Sequence, residues 1–134
     1  MHRILFVDDE PAVLEGLRNL FRKQRRRWEM VFAPGGIEAL DELKRTRFDV
    51  VVSDMRMPGI DGAELLRRVK DGYPSVARIV LSGHAEPEAV ARVLPVADTY
   101  VSKPCDAEAL RAAIEQGCAL HDRLEREKAG EPPT

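Results

Sequence analysis

Short apolar runs recur along the chain at regular intervals. "RILFV" (3–7), "FDVVVS" (48–53), "ARIVL" (77–81) and "TYVS" (99–102) read as strands, and "WEMVFA" (28–33) is a weaker fifth candidate. The runs are continuous rather than alternating, the pattern of strands covered on both faces. Helical patterns fill the gaps. Pro11 to Lys23 carries Val13, Leu14, Leu17, Leu20 and Phe21 on one face. Ile37 to Lys44 carries Ile37, Leu40 and Leu43, and Gly62 to Lys70 carries Leu65, Leu66 and Val69. Pro87 to Leu94 is short, and Pro95 should end it. Asp106 is placed to cap a last helix bearing Leu110, Ile114 and Leu124. A strand then a helix, five times over, implies an α/β fold with a parallel sheet and helices on both faces. Right-handed crossovers leave few topologies.

The chain has 134 residues, enough for one domain that needs no disulfide staple. A net charge of -2 argues against direct binding of nucleic acid or of an anionic membrane. The basic stretch "RKQRRR" (22–27) reads as a solvated helix end, where cations are favoured. Cys105 and Cys118 fit no metal-ligand pattern and read as helix filler. His84 has no companion ligands and reads as a loop histidine. No apolar run approaches the roughly 18 residues that span a bilayer. The amino terminus reaches two acids at once and lacks a cleavage site, so a cytoplasmic location is expected. After residue 121 the character changes: "HDRLEREKAGEPPT" favours helix as far as Lys128 and is then broken by Gly130, Pro132 and Pro133. Residues 1–121 are therefore read as the domain, and 122–134 as a helical extension and linker.

In an open parallel sheet, ligands bind beyond the carboxyl ends of the strands. The first strand ends there in Asp8-Asp9-Glu10, the third in Asp54, the fourth in Ser82 and the fifth in Ser102-Lys103-Pro104. Two carboxylates about 4 Å apart repel by roughly 4 kcal/mol at an effective dielectric near 20. Asp8, Asp9 and Asp54 together exceed what Lys103 alone can balance. A hard divalent cation with oxygen ligands fits best, and Mg²⁺ is expected, together with a phosphoryl group. Asp54 is the candidate nucleophile, since a carboxylate can form an aspartyl-phosphate. Lys103 would offset charge on the transferred oxygens, and Ser82 would hydrogen-bond one of them.

The pieces "ILFVDDE", "SDMRMPGIDG", "IVLSGH" and "YVSKP" occur in one order over residues 3 to about 120. With them the sequence resembles the receiver domain of two-component response regulators. The resemblance implies a flavodoxin-like (βα)5 sandwich with strand order 2-1-3-4-5. It implies that Asp54 accepts phosphate from a histidine kinase or phosphotransfer protein. Asp9 would bind Mg²⁺ directly, Asp8 directly or through water, and the backbone carbonyl of Arg56 would be a further ligand. Ser82 and Tyr100 would form a switch pair, Lys103 would contact phosphate, and Pro104 would follow a cis peptide bond. The implied role is a phosphoacceptor signalling domain rather than an enzyme. Its switching face, the fourth and fifth helices with the fifth strand, would serve an output domain, a target protein or a homodimer.

Departures from the family pattern are small. Ser82 stands where threonine is frequent, Gly83 where alanine is frequent, and "LPVAD" replaces a glycine-containing turn. "SGH" and "KPCD" look like receivers fused to HD-related output domains. One alternative is a receiver-like interaction module that never takes phosphate. A phosphatase using an aspartate and Mg²⁺ is a second alternative. It would need a general acid close to the nucleophile, and Met55 and Arg56 supply none.

Overall fold

Successive strand residues point to opposite faces, and here both faces are apolar. Ile4 and Phe6 pack on one side of the first strand, Leu5 and Val7 on the other. The computed structural model describes residues 1–83, 86–103 and 106–130. The strands are β1 (His2–Val7), β2 (Trp28–Ala33), β3 (Val50–Asp54), β4 (Ala77–Ser82) and β5 (Thr99–Ser102). They alternate with helices α1 (Pro11–Leu20), α2 (Gly36–Arg45), α3 (Gly62–Gly72), α4 (Pro87–Val93) and α5 (Ala107–Lys128). All strand pairs are parallel, and the order is β2-β1-β3-β4-β5. This is the expected flavodoxin-like sandwich, with the weak second strand present at its expected bounds.

One layer packs Leu5, Val51 and Val80 of the sheet against Leu43 of α2, Leu65, Leu66 and Val69 of α3 and Val93 of α4. The other packs Ile4, Phe6, Val52 and Ile79 against Leu17 of α1 and Leu110 and Ile114 of α5. A fully buried Leu or Ile contributes roughly 1.5–3 kcal/mol, so the two layers are the main cohesive force. Phe6, Phe32, Phe21 and Trp28 form a chain of ring contacts on the α1 side, with centroids 5.1–6.0 Å apart.

Three sequence expectations are corrected. The first helix ends at Leu20, not Lys23, and Arg22–Gln24 forms a separate 3-10 turn. The basic stretch is therefore a solvated turn leading into β2 rather than a helix end. Leu20 is consequently exposed, while Phe21 turns into the core. Ile37 is also exposed: the buried stripe of α2 is Gly36, Ala39 and Leu43, and Ile37 falls off it. Asp49 lies just outside the third strand, whose first residue is Val50.

The "LPVAD" segment is organised by a buried arginine. Arg78 of β4 donates from Nε to the Val96 carbonyl at 2.7 Å and from Nη1 to the Val76 carbonyl at 3.2 Å. Its backbone N–H donates to Asp98 Oδ2 at 2.7 Å, and Asp98 N–H returns a bond to the Arg78 carbonyl. A buried guanidinium needs such acceptors. They fix the turn without the usual glycine. At the far end, Asp106 caps α5 as expected, its Oδ1 accepting from Ala109 N–H at 2.7 Å. The helix then runs unbroken to Lys128.

Candidate functional site

Strand register brings the acids together. Val7 pairs with Ser53, so the next residues, Asp8 and Asp54, emerge side by side from adjacent strands. Ser82 pairs with Ser102, and the Lys103 N–H donates to the Ser82 carbonyl at 2.8 Å. This swings Lys103 toward β3. Carboxylate oxygens of Asp8, Asp9 and Asp54 all lie within 4.8 Å of one another. Lys103 Nζ is 3.4 Å from Asp54 Oδ1 and 3.5 Å from Asp8 Oδ2.

The three acids differ in setting. Asp8 is only 2% exposed, and its Oδ1 accepts from Glu10 N–H at 2.9 Å, which orders the start of α1. Neither acid is the cap of that helix, since Glu10 holds the N-cap position. Asp9 is exposed at the rim, and Asp54 is half-buried between them. Asp54 Oδ1 accepts from Met55 N–H at 2.9 Å. Burial pushes the Asp54 carboxyl above its ordinary value; Lys103 pulls it down, Asp8 pushes it up again, and the net direction is upward. Lys103 therefore fails to offset burial and the charge of Asp8 together.

The loop after Asp54 is shaped by two glycines. Gly59 has φ 77°, a left-handed conformation that other residues adopt at a cost. Gly62 lets α3 start directly against β3. A Cβ there would sit 2.3 Å from the Asp54 carbonyl oxygen, and Gly62 N–H donates to the Met55 carbonyl at 2.8 Å. The Asp54 backbone is thus in contact with the first turn of α3. Asp61 caps that turn, accepting from Glu64 N–H at 2.9 Å.

Two ion pairs cross the rim and were not foreseen from sequence. Arg92 of α4 reaches Asp61 at 2.8 Å, and Arg56 reaches Glu86 at 2.5 Å. With Asp9 and Met57 they line a shallow cavity of about 450 Å³ beside the acids. The "D-G-A-E" spacing signals the Asp61 cap, but nothing local signals its distant partner.

Ser82 is buried at the end of β4, and Tyr100 of β5 is half-buried against the α3 and α4 layer. Arg56 follows Asp54 by two residues with its side chain exposed. Pro104, Cys105 and His84 lie outside the described residues, as does the segment 131–134. The cis peptide expected before Pro104 therefore lies outside them too.

A model of the response regulator receiver domain matches residues 4–115. The chain belongs to that family. Receiver domains act in two-component phosphorelays, so this is the role of the domain. Among relatives, the receiver is 32% identical over 123 residues to the transcriptional regulatory protein YesN of Bacillus subtilis, covering 87% of this chain and 32% of that protein. It is 30% identical over 115 residues to sporulation initiation phosphotransferase F of the same species, covering 85% and 91% respectively. The chain thus spans about a third of the first relative and most of the second. A crystal structure of the signal receiver domain of an HD domain-containing protein from Pseudomonas fluorescens superposes with a TM-score of 0.86. It shares 30% identity and covers 90% of this chain and 97% of that one.

The donor set also suits the cation expected from the sequence. Three carboxylates offer hard oxygen ligands at one point, with more negative charge than Lys103 neutralises. No helix among the described residues is long and apolar enough to cross a membrane.

Proposed function

We propose that Asp54 is the phosphoryl acceptor of this receiver. The observation that carries the reading is the cluster itself: Asp8, Asp9 and Asp54 share one point, and Lys103 touches two of them. An Asp54 carboxylate oxygen attacks the phosphorus of a phosphohistidine on a kinase or phosphotransfer partner. The P–N bond breaks, and the imidazole leaves with the electron pair. Asp8, Asp9, Asp54 and the Arg56 carbonyl would hold Mg²⁺, which when bound neutralises charge on the transferred oxygens. Lys103 supplies a fixed ammonium for the same oxygens. The Ser82 hydroxyl would hydrogen-bond one of those oxygens.

The phosphorylated state draws Ser82 toward the acceptor, and Tyr100 turns into the space released. This remodels the face of α4, β5 and α5. A bias of a few kcal/mol is enough to shift such a two-state population. The face is offered to an output domain or target, or to a second copy of the chain. Residues 1–121 are the receiver and 122–134 the route onward, in keeping with relatives of which the chain spans only part. The likeness to a receiver from an HD domain-containing protein supports an HD-related output.

The test uses acetyl phosphate and beryllium fluoride, each with and without Mg²⁺. The protein takes label from acetyl phosphate only with Mg²⁺, and Asp54→Asn takes none. Beryllium fluoride with Mg²⁺ perturbs the amide resonances of Ser82 and Tyr100. Labelling undiminished in Asp54→Asn overturns the acceptor assignment. No labelling and no Mg²⁺-dependent binding assigns the chain to a phosphate-independent interaction module.

A further inference from the structure

A second buried charge centre lies at the amino edge of the sheet, opposite the acids. His121 of α5 is 8% exposed. Its Nδ1 is 2.7 Å from the Ser75 carbonyl oxygen, and its Nε2 is 2.8 Å from Asp49 Oδ1. A carbonyl oxygen and an ionised carboxylate can only accept. Both ring nitrogens must therefore donate, and a ring that donates twice is an imidazolium. A neutral ring would set one nitrogen lone pair against an oxygen. Asp49 cannot simply turn away, because its Oδ2 accepts from Arg3 N–H at 2.7 Å.

We propose that His121 is a buried cation that locks the carboxyl-terminal half of α5 onto the domain, and that loss of its proton is a pH-driven release of that helix end. The lock joins three separate places: the entry to β3 through Asp49, the α3–β4 turn through Ser75, and α5 itself. Beyond it, α5 keeps two ion pairs to the body of the domain among the described residues, and Glu125 also shares a hydrogen bond with Ser75. Asp122 pairs with His2 of β1 at 3.0 Å, and Glu125 pairs with Arg47 before β3 at 2.8 Å. Each ion pair has at least one water-exposed partner and is weak. A cavity of about 380 Å³ borders the ring, lined in part by Phe48, Tyr73, Ser75 and Glu125, and gives water a path to it.

The charged groups around His121 fix the sign. Asp49 faces it from just before β3, Glu125 lies on its own helix, and Arg47 is the partner of Glu125. The hydrogen bond to Asp49 raises the His121 value above the ordinary 6.5, against the effect of burial. Burial pushes the Cys118 thiol up to about 12, so it stays neutral through the range that matters. Burial works against ionised Asp49, but its bonds from His121 and Arg3 prevail and hold it below 3.8. The contribution of His121 is complete below pH 6.5 and is lost as pH rises through its raised folded value. At the acid end the contribution of Asp49 is lost as pH falls through its lowered value. The lock is closed in between and opens on the alkaline side.

The device acts on the helix that leaves the domain, from the edge opposite Asp54. Its operation requires neither phosphate nor Mg²⁺. The test is an NMR titration of the His121 ring with hydrogen-exchange protection factors along α5, corrected for the intrinsic pH dependence of exchange. His121 titrates above pH 6.5, and protection from Cys118 to Lys128 falls about tenfold across that titration. Protection at Leu110 and Ile114 stays level. Asp49→Asn lowers the titration midpoint. In His121→Gln the step that accompanies this titration disappears. A midpoint at or below 6.5, pH-independent protection, or a step that survives in His121→Gln overturns the proposal.

Discussion

Asp54 closes β3 and Asp49 stands immediately before it, so one strand separates two partly buried aspartates. Each touches a cation: Lys103 at 3.4 Å for Asp54, His121 at 2.8 Å for Asp49. Their carboxyls nonetheless shift in opposite directions, Asp54 upward and Asp49 downward. Burial opposes ionisation at both. The difference lies in the company. Asp54 shares Lys103 with Asp8, and Asp9 adds a third carboxylate beside them. Asp49 has its own imidazolium and a backbone N–H from Arg3 besides. Charge at the amino edge is balanced, and the carboxylate there holds the fold together. At the carboxyl edge charge is left over, and the carboxylate is available for chemistry.

The contrast predicts stability effects of opposite sign. The largest belongs to Asp49→Ala, which leaves the His121 cation buried without its counter-ion. It should cost about 2–3 kcal/mol by urea unfolding near neutral pH, the scale of breaking a largely buried pair. The loss should shrink in alkaline buffer, where His121 is neutral in either protein. A loss that does not vary with pH would break the contrast at this end.

Asp54→Asn should do the reverse. In metal-free buffer it relieves repulsion with Asp8 and Asp9 and should stabilise by about 1 kcal/mol. The pH signature follows from the upward shift. The folded protein holds the Asp54 proton more tightly than the unfolded chain, so native Asp54 contributes a penalty above its folded value. That penalty is lifted as pH falls toward 3.8. The variant should lack this segment of the pH–stability curve. Adding Mg²⁺ should then raise the midpoint of the native protein more than that of the variant. A destabilised Asp54→Asn in chelator would mean that the carboxyl edge is balanced after all. The smallest effect is expected for His2→Gln, whose exposed pair with Asp122 should be worth about 0.5 kcal/mol or less and be screened by salt.

Much of this was readable from sequence, and for identifiable reasons. The strands are continuous apolar runs whose ends carry Asp8, Asp54, Ser82 and Lys103, so sheet topology alone brings these residues to one edge. The amino edge was less legible. Asp49 sits inside "FDVVVS" and reads as a strand residue, and its partner lies 72 positions later in a helix whose charged end reads as an extension. Arg78 within "ARIVL" carried a signal that could have been followed: an arginine in a buried strand must find acceptors. Which acceptors depends on how the "LPVAD" turn folds back, and no local pattern encodes that. The ends of α1 and α2 were misjudged by one turn or less, because periodicity continues past the point where tertiary contacts stop supporting a helix.

Arg78 bears on how the far edge of the sheet can yield. β5 is bonded to a neighbour on one side only. Its root, at Val96 and Asp98, is bolted to β4 by the guanidinium and the paired backbone bonds. Its tip, at Ser102 and Lys103, is held by strand pairing and the Lys103 N–H bond to the Ser82 carbonyl, with no side-chain clamp like Arg78 among the described residues, and the Lys103 ammonium reaches Asp8 and Asp54 instead. The strand is therefore a cantilever. A load applied at Lys103 bends it about a fixed base, so a small displacement at the tip becomes a tilt of the edge without unzipping the sheet.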